Sequence, residues 1–156
     1  MAYTDAISHM MIARRVLISV TPGLAQLGTV WLPLHHMLML PLIGNATLYR
    51  DGFAGALPSM VAYVVGAVYL YRTARLLFAS RMAGWVAALT YLLNANVLYM
   101  QGTAMTESDM LCASAVAIYY LLRWSRQALT LDLVKAAAAI AAGTLVRYDS
   151  WALALA

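Results

Sequence analysis

Four stretches of the chain carry apolar residues over lengths near that of a membrane crossing, and polar or charged residues mark their ends. The first, residues 52–71, runs into Arg72-Thr-Ala-Arg75 and on to Arg81. The second covers 82–100 and stops at Gln101-Gly-Thr; the third covers 106–122 and stops at Arg123-Trp-Ser-Arg126. The fourth, 130–147, passes Lys135 and an Ala-rich stretch before Arg147-Tyr-Asp149. About 20 apolar residues in a helix rise the roughly 30 Å of a bilayer's hydrocarbon core, so the pattern predicts four spanning helices. Pro58 falls near the start of the first, where a proline is tolerated.

The first fifty residues follow a different rule. Thr21-Pro-Gly23 reads as a turn, and Pro33, Pro41 and the His35-His36 pair interrupt the apolar run 31–43. This predicts a short helix lying in the membrane interface rather than a crossing one, with His35 and His36 as interfacial hydrogen-bonding groups and Trp31 as an aromatic anchor. At 100° per residue, a helix over 5–19 places Thr4, Asp5, Ser8, His9, Arg15 and Ser19 within an arc of about 140°. Ile12 and Val16 share that arc, and Ile7, Met10, Met11, Leu17 and Ile18 lie toward the other face.

Composition agrees with this reading. The 156 residues are 64% hydrophobic and only 10% charged, against about 25% charged in an ordinary soluble domain. Such a chain cannot wet its own surface, so lipid or other membrane protein must be its solvent. The expected fold is all-α: a polytopic membrane helical bundle over residues 52–156, with an extracytosolic region of interfacial helices over 1–51. The apolar run at 151–156 has no polar stop and reads as a helix continuing in a longer protein. The lone Cys112 forms no intrachain disulfide, no secretory signal peptide stands out, and no basic stripe suggests nucleic acid as a partner.

Charge then orients the bundle. Arg72, Arg75 and Arg81 flank the first connection, and Arg123, Arg126 and Lys135 flank the third, which alternation puts on the same side; that side is cytosolic by the positive-inside rule. Asp5, Asp51, Glu107, Asp109 and Asp149 gather on the other side, leaving only Asp132 inside.

Three places could carry chemistry, each with a plainer alternative. Asp5 and His9, at i,i+4, are an acid–imidazole pair that is either surface decoration or half of a metal site; no metal or other cofactor is expected. Thr106-Glu-Ser-Asp109 opens an apolar helix, where Thr106 and Asp109 read as a capping box and both acids suit the helix dipole; alternatively Glu107 faces a wet cavity at membrane depth. Arg147 and Asp149 interrupt their apolar segment early, either as a structural ion pair or as charges lining a protein-walled cavity. Asn45-Ala-Thr47 matches a glycosylation acceptor pattern of low specificity.

Four segments, in order, resemble the GT-C superfamily of membrane glycosyltransferases, which includes dolichyl-phosphate-mannose protein mannosyltransferases and the lipid A aminoarabinose transferase. Asp5-Ala-Ile-Ser-His-Met-Met-Ile-Ala-Arg-Arg15 is similar to the first extracytosolic loop with its acidic motif, although Thr4 stands where many relatives carry a second acid. Thr29-Val-Trp-Leu-Pro-Leu-His-His36 is similar to the segment opening the interfacial helix. Leu48-Tyr-Arg50 and Leu57-Pro-Ser59 are similar to the start of a membrane helix ending in Tyr71-Arg-Thr-Ala-Arg-Leu-Leu-Phe78. Ala104-Met-Thr-Glu107 is similar to the position of a later acid.

The resemblance implies inverting transfer of a sugar from a polyprenyl-phosphate donor to an acceptor outside the cytosol, in a prokaryotic plasma membrane or the endoplasmic reticulum. It casts Asp5 as general base and Glu107 as a second acid shaping the same site, with His9, Arg14, Arg15, Arg147 and Asp149 meeting substrate. Two other classes fit the residues alone. A transporter or channel segment would line its path with Glu107, Arg147 and Asp149 but should show an internal repeat. A non-catalytic assembly subunit would use the Gly and Ala of its spans only to pack.

Overall fold

The computed structural model describes residues 4–28 and 30–155. Thr29, in the segment before the proline-leucine motif, lies outside the described residues, as do Met1, Ala2, Tyr3 and Ala156. The described chain is all-helical, 79% helix with no strand. In order the helices are α1 (Thr4–Leu17), α2 (Pro33–Ile43), α3 (Ala46–Arg50), α4 (Phe53–Phe78), α5 (Arg81–Leu92), α6 (Ala95–Met100), α7 (Glu107–Gln127), α8 (Thr130–Thr144) and α9 (Ser150–Leu155).

The small helices are placed by local chemistry. Asp5 in the first turn of α1 and Arg14 and Arg15 in its last turn complement the helix dipole. Pro33 stands in the opening turn of α2, where its missing N–H costs nothing. The Asn45 side chain caps α3 by accepting from the N–H groups of Thr47 (2.9 Å) and Leu48 (3.2 Å). That residue of the sequon pattern therefore has a structural role.

The long helices alternate in direction. Ser59 Oγ donates to the Met105 carbonyl at 2.8 Å, tying the start of α4 to the start of α7. Tyr63 donates to the Leu92 carbonyl at 2.6 Å, so α5 runs back along α4. Arg126 donates to the Leu76 carbonyl at 2.8 Å, joining the far ends of α7 and α4. Arg123 pairs with Asp132 across the α7–α8 connection at 3.3 Å, and Arg147, past α8, returns to Glu107 at 2.7 Å. One end of the bundle therefore holds Arg123, Arg126 and Asp132, and the opposite end holds Glu107, Asp109, Arg147 and Asp149.

Close approach comes from small residues. A Cβ on Gly55 would lie 2.4 Å from Cβ of Ala104, and one on Gly84 would lie 2.8 Å from the Tyr71 ring. Helices meeting over glycine and alanine gain dispersion contacts and need no hydrophobic drive, the packing suited to helices in lipid.

One expected span is interrupted. The 82–100 stretch is not one helix: α5 ends at Leu92, and the Asn94 side chain caps α6 by accepting from the N–H groups of Asn96 and Val97. Twelve residues of α5 rise only about 18 Å. Among the described residues α4 alone, with 26 residues, is long and apolar enough to cross a membrane by length and composition.

The arc of α1 that carries His9 faces inward. Its inward stripe is Ala6, His9, Ile12, Ala13 and Val16, whereas Ile7, Met11, Leu17 and Ile18 are exposed. The stripe packs into a core formed by Met39 and Ile43 of α2, Ala54 of α4, and Ala104 and Met105 just before α7. This core sets the amino-terminal helix over the acidic end of the bundle.

Candidate active site

At that end, a cavity of about 320 Å³ is lined by Asp5 and His9 of α1, Trp31 and Leu32 before α2, Thr106 and Glu107 at the start of α7, and residues 146–149 after α8. A larger cavity of about 490 Å³ lies among α2, α4, α7 and α8, but its wall is hydrocarbon apart from Asp109 and Cys112. Val146 lines both. Of these two, the first gathers the polar groups that acid–base chemistry needs.

Arg147 organises the polar wall. It donates through Nη1 to Glu107 Oε1 at 2.7 Å and to Thr106 Oγ1 at 3.2 Å. Its Nε and Nη2 reach Asp149 Oδ2 at 3.0 and 2.9 Å. The ion pair expected between Arg147 and Asp149 is present, yet the same guanidinium also holds Glu107. Thr106 stands at the N-cap of α7 but makes no side-chain cap, because its hydroxyl serves Arg147 instead. The capping-box reading of Thr106 and Asp109 is therefore corrected.

Asp109 has a different partner. Its Oδ2 forms an ion pair with Nδ1 of His35, deep in the core. The other ring nitrogen of His35 faces the Ala104 carbonyl at 3.2 Å. Both contacts place an acceptor oxygen against a ring nitrogen, so both nitrogens of His35 are engaged. His35 and His36 are both fully buried, not interfacial as expected. The lipid-like pattern of residues 31–43 hides them, because a buried histidine needs a partner that local sequence does not reveal.

His36 Nε2 meets His9 Nδ1 at 2.9 Å, and Trp31 lies over the His9 ring with centroids 5.0 Å apart. Burial, followed by the charges of His35, His36 and Arg147, pushes His9 down to about 3 from 6.5. Burial and then His35 push His36 down to about 4, against a smaller opposing pull from the Leu32 carbonyl. Both imidazoles are neutral at physiological pH. Between these values and about 6.5 the unfolded chain binds more protons than the folded one, so stability rises with pH across that window. The contribution is complete above about pH 6.5 and is lost as pH falls toward 4 and then 3. The thermal unfolding midpoint of the whole protein in detergent should drop from pH 7 to pH 4. The double variant His9→Gln/His36→Gln should show a shallower drop, and equal slopes in the two proteins would contradict this origin.

The cavity thus unites five residues singled out in the sequence: Asp5, His9, Glu107, Arg147 and Asp149. It does not include Arg14, which lies 4.0 Å over the Tyr49 ring, or the exposed Arg15. Three carboxylates against one guanidinium, with neutral His9, leave the cavity with two net negative charges. No group of three or more His, Cys, Asp or Glu side chains is arranged to hold a metal among the described residues.

A comparison with protein families matches residues 36–156 to dolichyl-phosphate-mannose-protein mannosyltransferase. The chain belongs to that family. It is a family of mannosyltransferase-type glycosyltransferases, in agreement with the GT-C resemblance. No curated protein and no solved structure matches the chain. The mannosyltransferase match covers His36, Glu107, Asp109, Arg147 and Asp149 and begins after Asp5, His9 and His35. The amino-terminal half of the cavity therefore rests on geometry alone.

Proposed function

We propose that the protein is a membrane glycosyltransferase that moves a sugar, with inversion, from a polyprenyl-phosphate donor to an acceptor on the extracytosolic side. The observation that carries this reading is the meeting of Asp5, Glu107 and Asp149 from three separate parts of the chain around one cavity, in a chain of a mannosyltransferase family.

The outward face of the bundle supports a place in the bilayer. Val61, Val64 and Val68 of α4 and Trp85, Val86 and Leu89 of α5 are exposed, which suits hydrocarbon better than water. In this reading α4, α5 with α6, α7 and α8 cross the bilayer, and residues 1–51 lie in its outer interface. The outward Ile7, Met11 and Leu17 of α1, and Ile18 just after it, then face lipid, while Asp5 keeps its carboxylate at the cavity.

Asp5 is the general base. It is exposed and has no ion-pair partner among the described residues, so it is free to take the proton that an acceptor hydroxyl or amine loses as it attacks the anomeric carbon. Glu107 and Asp149, both held by Arg147, shape the anionic wall that favours a proton-bearing acceptor. The departing lipid phosphate carries negative charge and would be repelled from this wall. Arg147 stabilises it only by releasing Asp149, its more exposed partner (66% against 27% for Glu107).

The whole protein in proteoliposomes should transfer sugar from a polyprenyl-phosphate monosaccharide and not from a nucleotide sugar. Flux of solute across the vesicle without turnover of lipid-linked sugar would reject the enzyme reading in favour of a transporter.

A further inference from the structure

His36 belongs to none of the groups assigned so far, yet it is fully buried and spends a ring nitrogen on a residue that lines the cavity. Burying an imidazole beside two others costs desolvation and mutual repulsion unless something holds each ring neutral and bonded. His36 stands on α2, next to His35, whose pairing with Asp109 anchors α2 to the first turn of α7. The chain of contacts therefore runs from α7 through His35 into α2, and from His36 across to His9 on α1. His9 lines the cavity and has Nδ1 engaged by His36. Its Nε2 is the nitrogen left for a cavity occupant, with Trp31 covering one side of the ring.

We propose that His36 is a positioning residue for the transfer reaction, holding the His9 ring so that Nε2 of His9 accepts a hydrogen bond from the acceptor's hydroxyl or amine beside Asp5. This rests on the glycosyltransferase reading above. The 2.9 Å contact lets either ring donate, and Nδ1 of His36 has no hydrogen-bond partner among the described residues; in this assignment His9 is the donor. Nε2 of His36 is then the acceptor, Nδ1–H of His9 the donor, and Nε2 of His9 carries the free lone pair. The weak basicity of His9 fits such a role, because the ring orients the nucleophile without taking the proton, which goes to the Asp5 carboxylate.

The geometry makes a residue-specific demand. A glutamine amide reaches the position of a histidine Nε2, whereas leucine fills the space without a polar atom. In the whole protein, His36→Leu should raise the acceptor KM about three- to tenfold, the worth of one oriented hydrogen bond, with the donor KM unchanged. His36→Gln should restore the wild-type acceptor KM. Equal defects in the two variants, equal defects toward donor and acceptor, or no defect in either would overturn the proposal.

A second readout does not depend on turnover. In protein labelled with ¹⁵N-histidine, His9 should be protonated on Nδ1 in wild type and in His36→Gln, and should change to the Nε2–H form in His36→Leu. A His9 tautomer indifferent to position 36 would sink the positioning role even in an active enzyme. Wild-type protein that transfers no lipid-linked sugar, but shows the tautomer change, would instead sink the glycosyltransferase reading and the acceptor-binding step with it.

Discussion

Asp5→Asn in the whole protein is expected to lower sugar transfer by about 10²–10⁴-fold, the range removed with a positioned general base. Asparagine keeps the shape of the side chain and is a good residue at a helix start. The loss of one negative charge in the first turn of α1 costs about 0.3–1 kcal/mol of helix stabilisation. That is small beside the core of Ala6, Ala13, Met39 and Ile43 that seats the helix. Protein yield, unfolding midpoint and donor binding should therefore stay close to wild type while turnover collapses. Glu107→Gln makes a useful contrast. Glu107 is engaged by Arg147 at 2.7 Å, so removing its charge loosens one side of a guanidinium still held by Asp149 and should disturb substrate KM as well as turnover. Turnover at the wild-type rate in Asp5→Asn would remove this residue from the chemistry, whatever its place in the cavity.

The alternation of the helices could be read from the sequence because apolar length and the placement of arginines are local signals. Arg72, Arg75 and Arg81 on one connection and Arg123, Arg126 and Lys135 on another are enough to separate the two ends of the bundle. The break between α5 and α6 was also signalled, by Asn94 ahead of an apolar turn, but a sliding apolar window passes over a capping residue. The face of α1 is a different case. An amphipathic helix is ordinarily read with its apolar side inward, and here Ile7 and Met11 point out while His9 points in. That arrangement is the one expected of a helix facing lipid, where a polar residue is safest against its partners in the protein.

The site was legible as separate polar clusters and illegible as a network. Arg147 and Glu107 stand 40 positions apart, and His35 and Asp109 stand 74 apart. Each had an adequate local explanation: a cap for Asp109, an ion pair with Asp149 for Arg147, an interfacial position for His35. The folded protein keeps one of those explanations, the Arg147–Asp149 pair, and adds the distant partner Glu107. It discards the cap because Thr106 gives its hydroxyl to Arg147. Local chemistry identified which residues needed partners without identifying the partners themselves.

Asp109→Leu should have the largest effect on stability of any single change considered, about 3–5 kcal/mol, the cost of leaving one member of a buried ion pair alone. His35 is fully buried and Asp109 nearly so, so water cannot replace the lost carboxylate. The Ala104 carbonyl satisfies only the other ring nitrogen. His35→Leu should be costly for the matching reason, leaving the Asp109 carboxylate facing the apolar cavity lined by Leu34, Leu38 and Val116. Replacing both together removes both demands, and buried pairs exchanged for apolar groups of similar volume are often neutral or more stable. The double variant His35→Leu/Asp109→Leu should accordingly recover most of the loss, measured as unfolding midpoints of the four proteins in one detergent. Additive losses in the double variant would mean that the two side chains do not compensate each other, and that α2 is fixed to α7 by packing alone. If recovery is seen, activity in the double variant separates holding the fold from serving the reaction. A stable but slow enzyme would place the value of the pair in the orientation it gives to His36, and through it to His9 at the edge of the cavity.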